Sequence, residues 1–361
     1  MKKLRANDIQ KIAAFLIGSL VVLWFTLNIT GSNLDFFPGD EGDARFNNYV
    51  LENGHQYLSG NRESMWDAPF MFPVENVISY SDNLIGSVPI YSLFRILSFD
   101  RETSFQLWFI AMFILSYACC FLFLKSQVKN VYAAVIGALI FSISMALQSQ
   151  MTHAQVFPTY PIPLAFWMLS LFLNKLRPGY FFLALLAVVY QFYCGIYLGF
   201  FLCIPFGIIF LIGLFNKRKL LFGLIQSFQW NLKIAVGLGL NALLLAWLML
   251  PYVERSNATK PYSSDVVFSS IPSIKSMFFS QDGTWIWTFL SDTGSDYPAS
   301  WDHQIFVGGI ALLSIVVVFG IWFYSKFTNF DLAKLFANNF LKTMLIGGLL
   351  TCIIFLRVGE Y

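Results

Sequence analysis

Long apolar runs without a charged side chain constrain this chain more than any other feature. They fall at roughly 12–30, 104–124, 131–147, 161–174, 180–194, 195–215, 234–250, 306–325 and 343–356. A helix that crosses a bilayer needs about 20 predominantly apolar residues. The 361 residues are 57% hydrophobic, which is more than a soluble domain of this size requires. The sequence therefore predicts an all-α polytopic membrane protein, with one transmembrane domain over residues 1–361 and about nine transmembrane helices.

Basic residues flank these runs unequally and so predict an orientation. With a cytoplasmic N terminus, two long loops, at about 31–103 and 251–304, are extracytoplasmic, as is a short one at about 148–160. The cytoplasmic segments then hold 15 of the 23 basic residues. These are Lys2, Lys3, Arg5, Lys11, Lys125, Lys129, Lys175, Arg177, Lys217, Arg218, Lys219, Lys233, Lys326, Lys334 and Lys342.

The predicted setting is a bacterial inner membrane, with the working face outside the cytoplasm. The first run is interpreted as an uncleaved span, because no cleavage site for a signal peptide follows it. The sequence ends just after an apolar run that should emerge outside, so both a natural terminus and a truncation are expected alternatives. Nucleic acid is excluded as a partner, since the net charge is only +3 and no basic stripe is present.

A cluster of carboxylates follows the first span, in the stretch Gly39-Asp40-Glu41-Gly42-Asp43. The residues after it place apolar side chains on one face of a short interfacial helix, which Gly54 is expected to end. Asp40 or Asp43 is expected to cap this helix. One cap needs one carboxylate, and crowded like charges repel unless a cation or a bound group compensates. Capping alone and a substrate or metal site both stay open.

Polar and aromatic side chains elsewhere in the outer loops are candidates for binding a sugar. Trp66 and Tyr80 offer planes for stacking, and the neighbouring acids accept hydrogen bonds from hydroxyls; the alternative is an interfacial aromatic belt with turn-forming residues. All three histidines also lie in outer loops. His153 and Gln155 are expected close to the acidic turn, because they are polar groups on the same membrane face. Asp302-His303-Gln304 is expected to close the pocket from the second long loop. The candidate substrate-binding residues are Arg45, His55, Trp66, Asp67, Asp82, His153, Gln155, Asp302 and His303. The acids and histidines offer ligands for a divalent metal, but no spacing typical of a metal site joins them, so no residue is assigned to one.

The first outer loop resembles that of the GT-C glycosyltransferases. An apolar first span, an acidic pair at Asp40-Glu41, a surface helix ending in a glycine and an aromatic, proline-rich stretch match the layout of aminoarabinose transferases and protein O-mannosyltransferases. The likeness covers about 38–91 in motif and about 1–250 in layout. It implies a GT-C-like helical bundle that transfers a sugar from a polyprenyl-phosphate donor to a glycan, lipid or protein acceptor. It also implies that Asp40 is the base or acceptor-positioning acid, with Asp43 as its substitute and Glu41 beside them.

Two other classes of protein remain as alternatives. The apolar runs contain no ionisable residue, which argues against ion-coupled transport, because coupled transporters place such groups near the bilayer midplane. A flippase or transporter of lipids or glycans is compatible with this absence. A non-catalytic assembly protein of the cell envelope is the third class, although it has no need of acids crowded at one interface.

Overall fold

The structure is a computed structural model that describes residues 6–258, 263–281, 284, 286–294, 296–297, 300–328 and 339–355. Within these ranges the chain forms helices and turns, with no strand, as the sequence predicts. The α-helices are α1 (Ala6–Thr30), α2 (Asp43–Leu58), α3 (Val88–Ile96), α4 (Arg101–Gln127), α5 (Val131–Ser142), α6 (Met145–Gln148), α7 (Pro161–Lys175), α8 (Pro178–Cys194), α9 (Ile196–Asn216), α10 (Arg218–Leu224), α11 (Phe228–Ala258), α12 (Ser264–Ser269), α13 (Gly309–Phe327) and α14 (Asn339–Phe355). Short 3-10 turns lie at Pro69–Met71, Val77–Tyr80, Ala154–Val156, Lys275–Phe278, Thr288–Leu290 and Ser300–His303.

Six helical segments in the described part of the chain are long and apolar enough to cross a membrane, as in an integral membrane protein. They are Asp8–Thr30, Arg101–Gln127, Val131–Gln148, Ala154–Lys175, Ile196–Asn216 and Phe228–Asn257. Pro178–Cys194 and Phe340–Phe355 are apolar but shorter. Each of the nine apolar runs contains a helix, yet a count of nine spans is not established.

Helices α1 and α4 pack side by side in opposite directions. Phe15, near the start of α1, stacks on Tyr117 in the second half of α4, while Phe25, near the end of α1, meets Phe113. Gly18 permits the close approach, because a Cβ there would lie 1.9 Å from the Tyr117 hydroxyl oxygen. The start of α1 and the end of α4 therefore lie at the same end of the bundle.

A second group of helices, α7, α8, α9 and α11, alternates in direction in the same way. Leu173, near the end of α7, packs on Gly213, near the end of α9. Trp230, near the start of α11, donates from its indole Nε1 to the carbonyl of Leu176 at 3.1 Å. At the other end of α8, the Tyr193 hydroxyl donates to the carbonyl of Leu244 at 2.8 Å.

These contacts give the bundle two different ends. One, called here the loop end, gathers residues 31–100, residues 143–160, the junction at Gly195 and the last turns of α11. The other, called the basic end, carries the start of α1 and the junctions from α4 to α5, α7 to α8 and α9 to α11. The first outer loop and the short one, which the sequence assigned to one side of a membrane, thus lie at one end of the bundle.

Helix α2 does not end at Gly54, so that expectation is wrong. The helix continues to Leu58, and Gly54 lies buried in its middle against α3. A Cβ on Gly54 would lie 2.5 Å from Cγ2 of Val88, so the glycine serves a close approach of two helices. The glycine that follows the helix with a positive φ, +75°, is Gly60.

Candidate functional site

The acidic turn begins α2 at the loop end, and Asp40 provides its cap. Oδ1 of Asp40 accepts a hydrogen bond from the backbone N–H of Ala44 at 2.9 Å, although the N-cap position itself belongs to Gly42. Gly39 lets the chain fold back onto the helix, since it has φ +99° and a Cβ there would lie 2.4 Å from that of Ala44. The helix start thus uses one carboxylate of the three.

Asp43, the first residue of α2, faces a histidine from the short outer loop. Its Oδ2 lies 3.3 Å from Nε2 of His153, and both side chains keep some contact with solvent. One turn further, Nδ2 of Asn47 donates to Oε1 of Gln155 at 2.7 Å. Asn47 is buried, and its Oδ1 has no hydrogen-bond partner among the described residues. These four residues are called the Asp43–His153 cluster.

The proximity of His153 and Gln155 to the acidic turn was expected from the sequence, and the structure shows it. The two segments are 108 residues apart at Asn47 and Gln155. The third acid of the turn, Glu41, lies outside the cluster, with Oε1 3.9 Å from Nη2 of Arg45 and both side chains exposed. An exposed pair at that distance contributes little to stability.

Asp82 lies buried behind the cluster, at the start of α9. Its Oδ1 accepts the backbone N–H of Ile196, and the N–H of Tyr197 also bonds to this carboxylate. Burial raises its pKa to about 6, although these two hydrogen bonds act in the opposite direction. Gly195 separates it from Gln155, because a Cβ on Gly195 would lie 3.5 Å from Oδ1 of Asp82 and 3.0 Å from the carbonyl oxygen of Gln155. In this arrangement Asp82 caps a helix and is closed to a substrate.

Replacing Asp82 by asparagine should remove a pH dependence of stability. A folded pKa near 6 lies above the ordinary 3.8, so the folded protein holds this proton more tightly and loses stability as the pH rises from about 4 to 6. A shift of roughly two pKa units corresponds to about 3 kcal/mol. Asparagine keeps an acceptor for Ile196, so we expect Asp82→Asn to melt higher than the wild type at pH 7 and equally at pH 4. Melting curves in detergent that differ equally at every pH would contradict this account.

The aromatic candidates of the first loop contact other residues of the chain. The ring of Trp66 meets that of Tyr252 edge to face, with centroids 5.8 Å apart. The guanidinium of Arg255 lies over the ring of Tyr80 at 4.5 Å. Oδ1 of Asp67 is 2.6 Å from the backbone nitrogen of Asn76, which donates to it. Trp66 and Tyr80 thus dock the loop on the end of α11, whereas the exposed Asp67 joins two parts of the loop.

The other two histidines lie away from the cluster. His55 is 12 residues beyond Asp43 on the same helix, which is about 18 Å along the axis. Burial, with a smaller effect of Arg95, lowers the pKa of His55. His303 is fully buried, with Nδ1 3.0 Å from Oγ of Ser276 and Nε2 2.7 Å from the carbonyl oxygen of Ser269, so it organises the second long loop.

The second long loop nevertheless reaches the short one. Oγ of Ser149 donates to the carbonyl oxygen of Gln304 at 2.7 Å. Asp302, two residues earlier, is half-buried. The second long loop therefore contacts the short one through the backbone of Gln304, and closure of the pocket by Asp302-His303-Gln304 stays a prediction.

Glu52 is an acid that the sequence analysis missed. It is buried in α2 and accepts hydrogen bonds from the Tyr91 hydroxyl at 2.8 Å, from Nε of Arg95 at 2.9 Å and from Nε2 of Gln56 at 2.7 Å. Nε of Arg101 lies 3.4 Å from Oε1 of Glu52. Burial alone would raise its pKa, but these hydrogen bonds and the charge of Arg95 outweigh it, so the pKa is lowered. No local pattern marks this residue, because Tyr91 and Arg95 lie 39 and 43 residues further along.

The Asp43–His153 cluster places an accessible carboxylate beside an imidazole, an arrangement that suits general acid–base chemistry. The imidazole of His153 contacts the Asp43 carboxylate, and the hydrogen bond from buried Asn47 to half-buried Gln155 joins the helix beneath it to the short loop. Among the described residues, no group of three or more His, Cys, Asp or Glu side chains is arranged to hold a metal ion. No family model, curated protein or solved structure matches the chain.

Proposed function

We propose that the chain is a membrane glycosyltransferase of the GT-C type. It transfers a sugar from a polyprenyl-phosphate donor to a glycan, lipid or protein acceptor at the loop end. The observation that carries the proposal is the Asp43–His153 pair, an exposed carboxylate oriented by a histidine from a distant loop. General bases are commonly carboxylates or histidines that a neighbouring group positions in this way.

We assign different roles to the two aspartates of the acidic turn. Asp43 deprotonates or positions the acceptor hydroxyl, and His153 orients it. Asp40 holds the helix start through the N–H of Ala44, which makes it the less suitable base. The exposed side chain of Arg45 follows in the first turn of α2 and supplies positive charge for the leaving phosphate.

The proposal is tested with the purified protein in nanodiscs and synthetic polyprenyl phosphates that carry a labelled hexose or aminopentose. We expect formation of free polyprenyl phosphate together with a labelled product when envelope glycans, lipids or proteins are added. In liposomes, a flippase would instead move the intact donor between leaflets without cleaving its glycosyl bond. Movement without cleavage would overturn the enzymatic proposal in favour of transport.

The proposed topology has nine spans, a cytoplasmic N terminus and an extracytoplasmic loop end in a bacterial inner membrane. It is supported by the positive-inside bias and by the two ends of the bundle. Asn61 at the loop end and Asn216 at the basic end are both exposed, so each accepts a single cysteine. We expect an impermeant maleimide to label Asn61→Cys in intact cells and Asn216→Cys only after lysis. The parent chain gives the background from the native cysteines, and the reverse labelling pattern would invert the orientation.

A further inference from the structure

A short apolar segment projects from the first outer loop. It comprises residues 69–74, called here the apolar tip, which contain no charged side chain. Four of its side chains are exposed: Phe70 by 43%, Met71 by 41%, Phe72 by 86% and Val74 by 40%. Contiguous exposed apolar surface of this kind marks a site of interaction with a protein or a membrane.

The base of the apolar tip is fixed to α11. Asp67 and Asn76, on either side of the tip, are joined by the hydrogen bond from the backbone N–H of Asn76 to Oδ1 of Asp67. The side chain of Asn76 then donates from Nδ2 to Oε2 of Glu254 at 2.8 Å. The base of the apolar tip therefore lies at the level of Glu254 along the axis of α11.

The charges on α11 show where that level lies relative to a bilayer. Between Lys233 and Glu254 the helix carries no charged residue. The 21 residue steps from Lys233 to Glu254 rise about 31 Å along the axis. The hydrocarbon core of a bilayer is about 30 Å thick. With Lys233 at one boundary, Glu254 lies at the other, and so does the base of the tip.

We infer that the apolar tip inserts into the lipid leaflet at the loop end. Its exposed side chains have no hydrogen-bonding group apart from the weakly accepting Met71 sulfur, so acyl chains suit them better than the polar rim of a protein partner. Phe70 also meets the rings of Phe46 and Tyr49 on α2 edge to face, with both centroid distances 5.5 Å. Because Phe46 lies one turn after Asp43, the inserted tip holds the start of α2 near the lipid headgroups.

Spin labels report the depth of the tip directly. Phe72→Cys is made in a chain whose exposed Cys203 and Cys352 are replaced by serine, and is labelled with a nitroxide in phospholipid nanodiscs that contain no polyprenyl phosphate. We expect oxygen, which concentrates in acyl chains, to relax this label more than a water-soluble nickel chelate does. The matched control is Asn61→Cys, which is exposed at the same end and should show the opposite preference.

Three outcomes decide the inference. Stronger relaxation by oxygen than by the nickel chelate, for labels at Phe72→Cys and at Met71→Cys, supports insertion. A preference for the nickel chelate equal to that of Asn61→Cys overturns it and leaves the tip in water. Shielding from both reagents also overturns it, in favour of a protein contact. The measurement involves no sugar transfer, so it stands or fails independently of the proposed enzymatic activity.

Discussion

Asp43→Asn is expected to lower the rate of sugar transfer by about 10²–10⁴-fold, the usual loss when a general base is removed. The asparagine keeps the size of the side chain and an oxygen to face His153, but it cannot accept the proton of the acceptor. Folding should be unaffected, because the start of α2 is capped by Asp40 through the N–H of Ala44. The measurements are donor turnover and the melting temperature of the purified protein.

Asp40→Asn is the matched control, made three residues away in the same exposed turn. Asparagine caps a helix about as well as aspartate, so the bond to Ala44 should persist and activity should stay within a few-fold of the wild type. The two variants therefore separate the cap from the base. Full activity in Asp43→Asn would refute its assignment, and loss of activity only in Asp40→Asn would transfer the role to that residue.

Glu52→Gln should lower the free energy of unfolding by about 3 kcal/mol. Glutamine has nearly the same shape, but it leaves the largely buried guanidinium of Arg95 without its carboxylate, and removing one partner of a buried ion pair is costly. The contacts that weaken join α2 to α3 and α4, so the whole loop end is affected. Chemical denaturation in detergent measures the change.

The control for this substitution is Glu41→Gln, which breaks an exposed pair with Arg45 and should change the free energy of unfolding by less than about 0.5 kcal/mol. The pH gives an independent check. The pKa of Glu52 is lowered from its ordinary value of 4.5 in the folded protein. The carboxylate therefore stabilises the fold fully at pH values above 4.5, and this stabilisation is lost as the pH falls through the lowered pKa. Glu52→Gln should lack this acid loss, and an equal loss in both proteins would contradict the role of the carboxylate.

The apolar helices were predictable from the sequence because long runs without a charged side chain indicate them directly. The adjacent runs at 180–194 and 195–215 are an example, since α8 ends at Cys194 and α9 begins at Ile196. Gly54 shows where such reasoning fails. The same residue suits a helix end and a close helix contact, and only the position of Val88 distinguishes the two.

The composition of the site was harder to predict than its location. His153 could be expected near the acidic turn because few polar anchors lie at the same end of so apolar a chain. The separate roles of Asp40 and Asp43 could not be predicted from the sequence, because they depend on the residue at which α2 starts. The close packing of Gly39 against Ala44 determines that residue. Burial of Asp82 and Glu52 arises from partners distant in sequence, which no local pattern records.

The docking of the first outer loop has a consequence for how the chain is made. Asn83 bonds to Tyr252, 169 residues later, and Asn76 bonds to Glu254, 178 residues later. At a synthesis rate of about 5–20 residues per second, the loop waits roughly 10–35 s for α11 to leave the ribosome. During that interval its polar groups and the apolar tip have no native partner on α11. Arrival of α11 is therefore the step of biogenesis that completes the loop. If the ribosome stalls before this step, the loop remains accessible to chaperones and proteases.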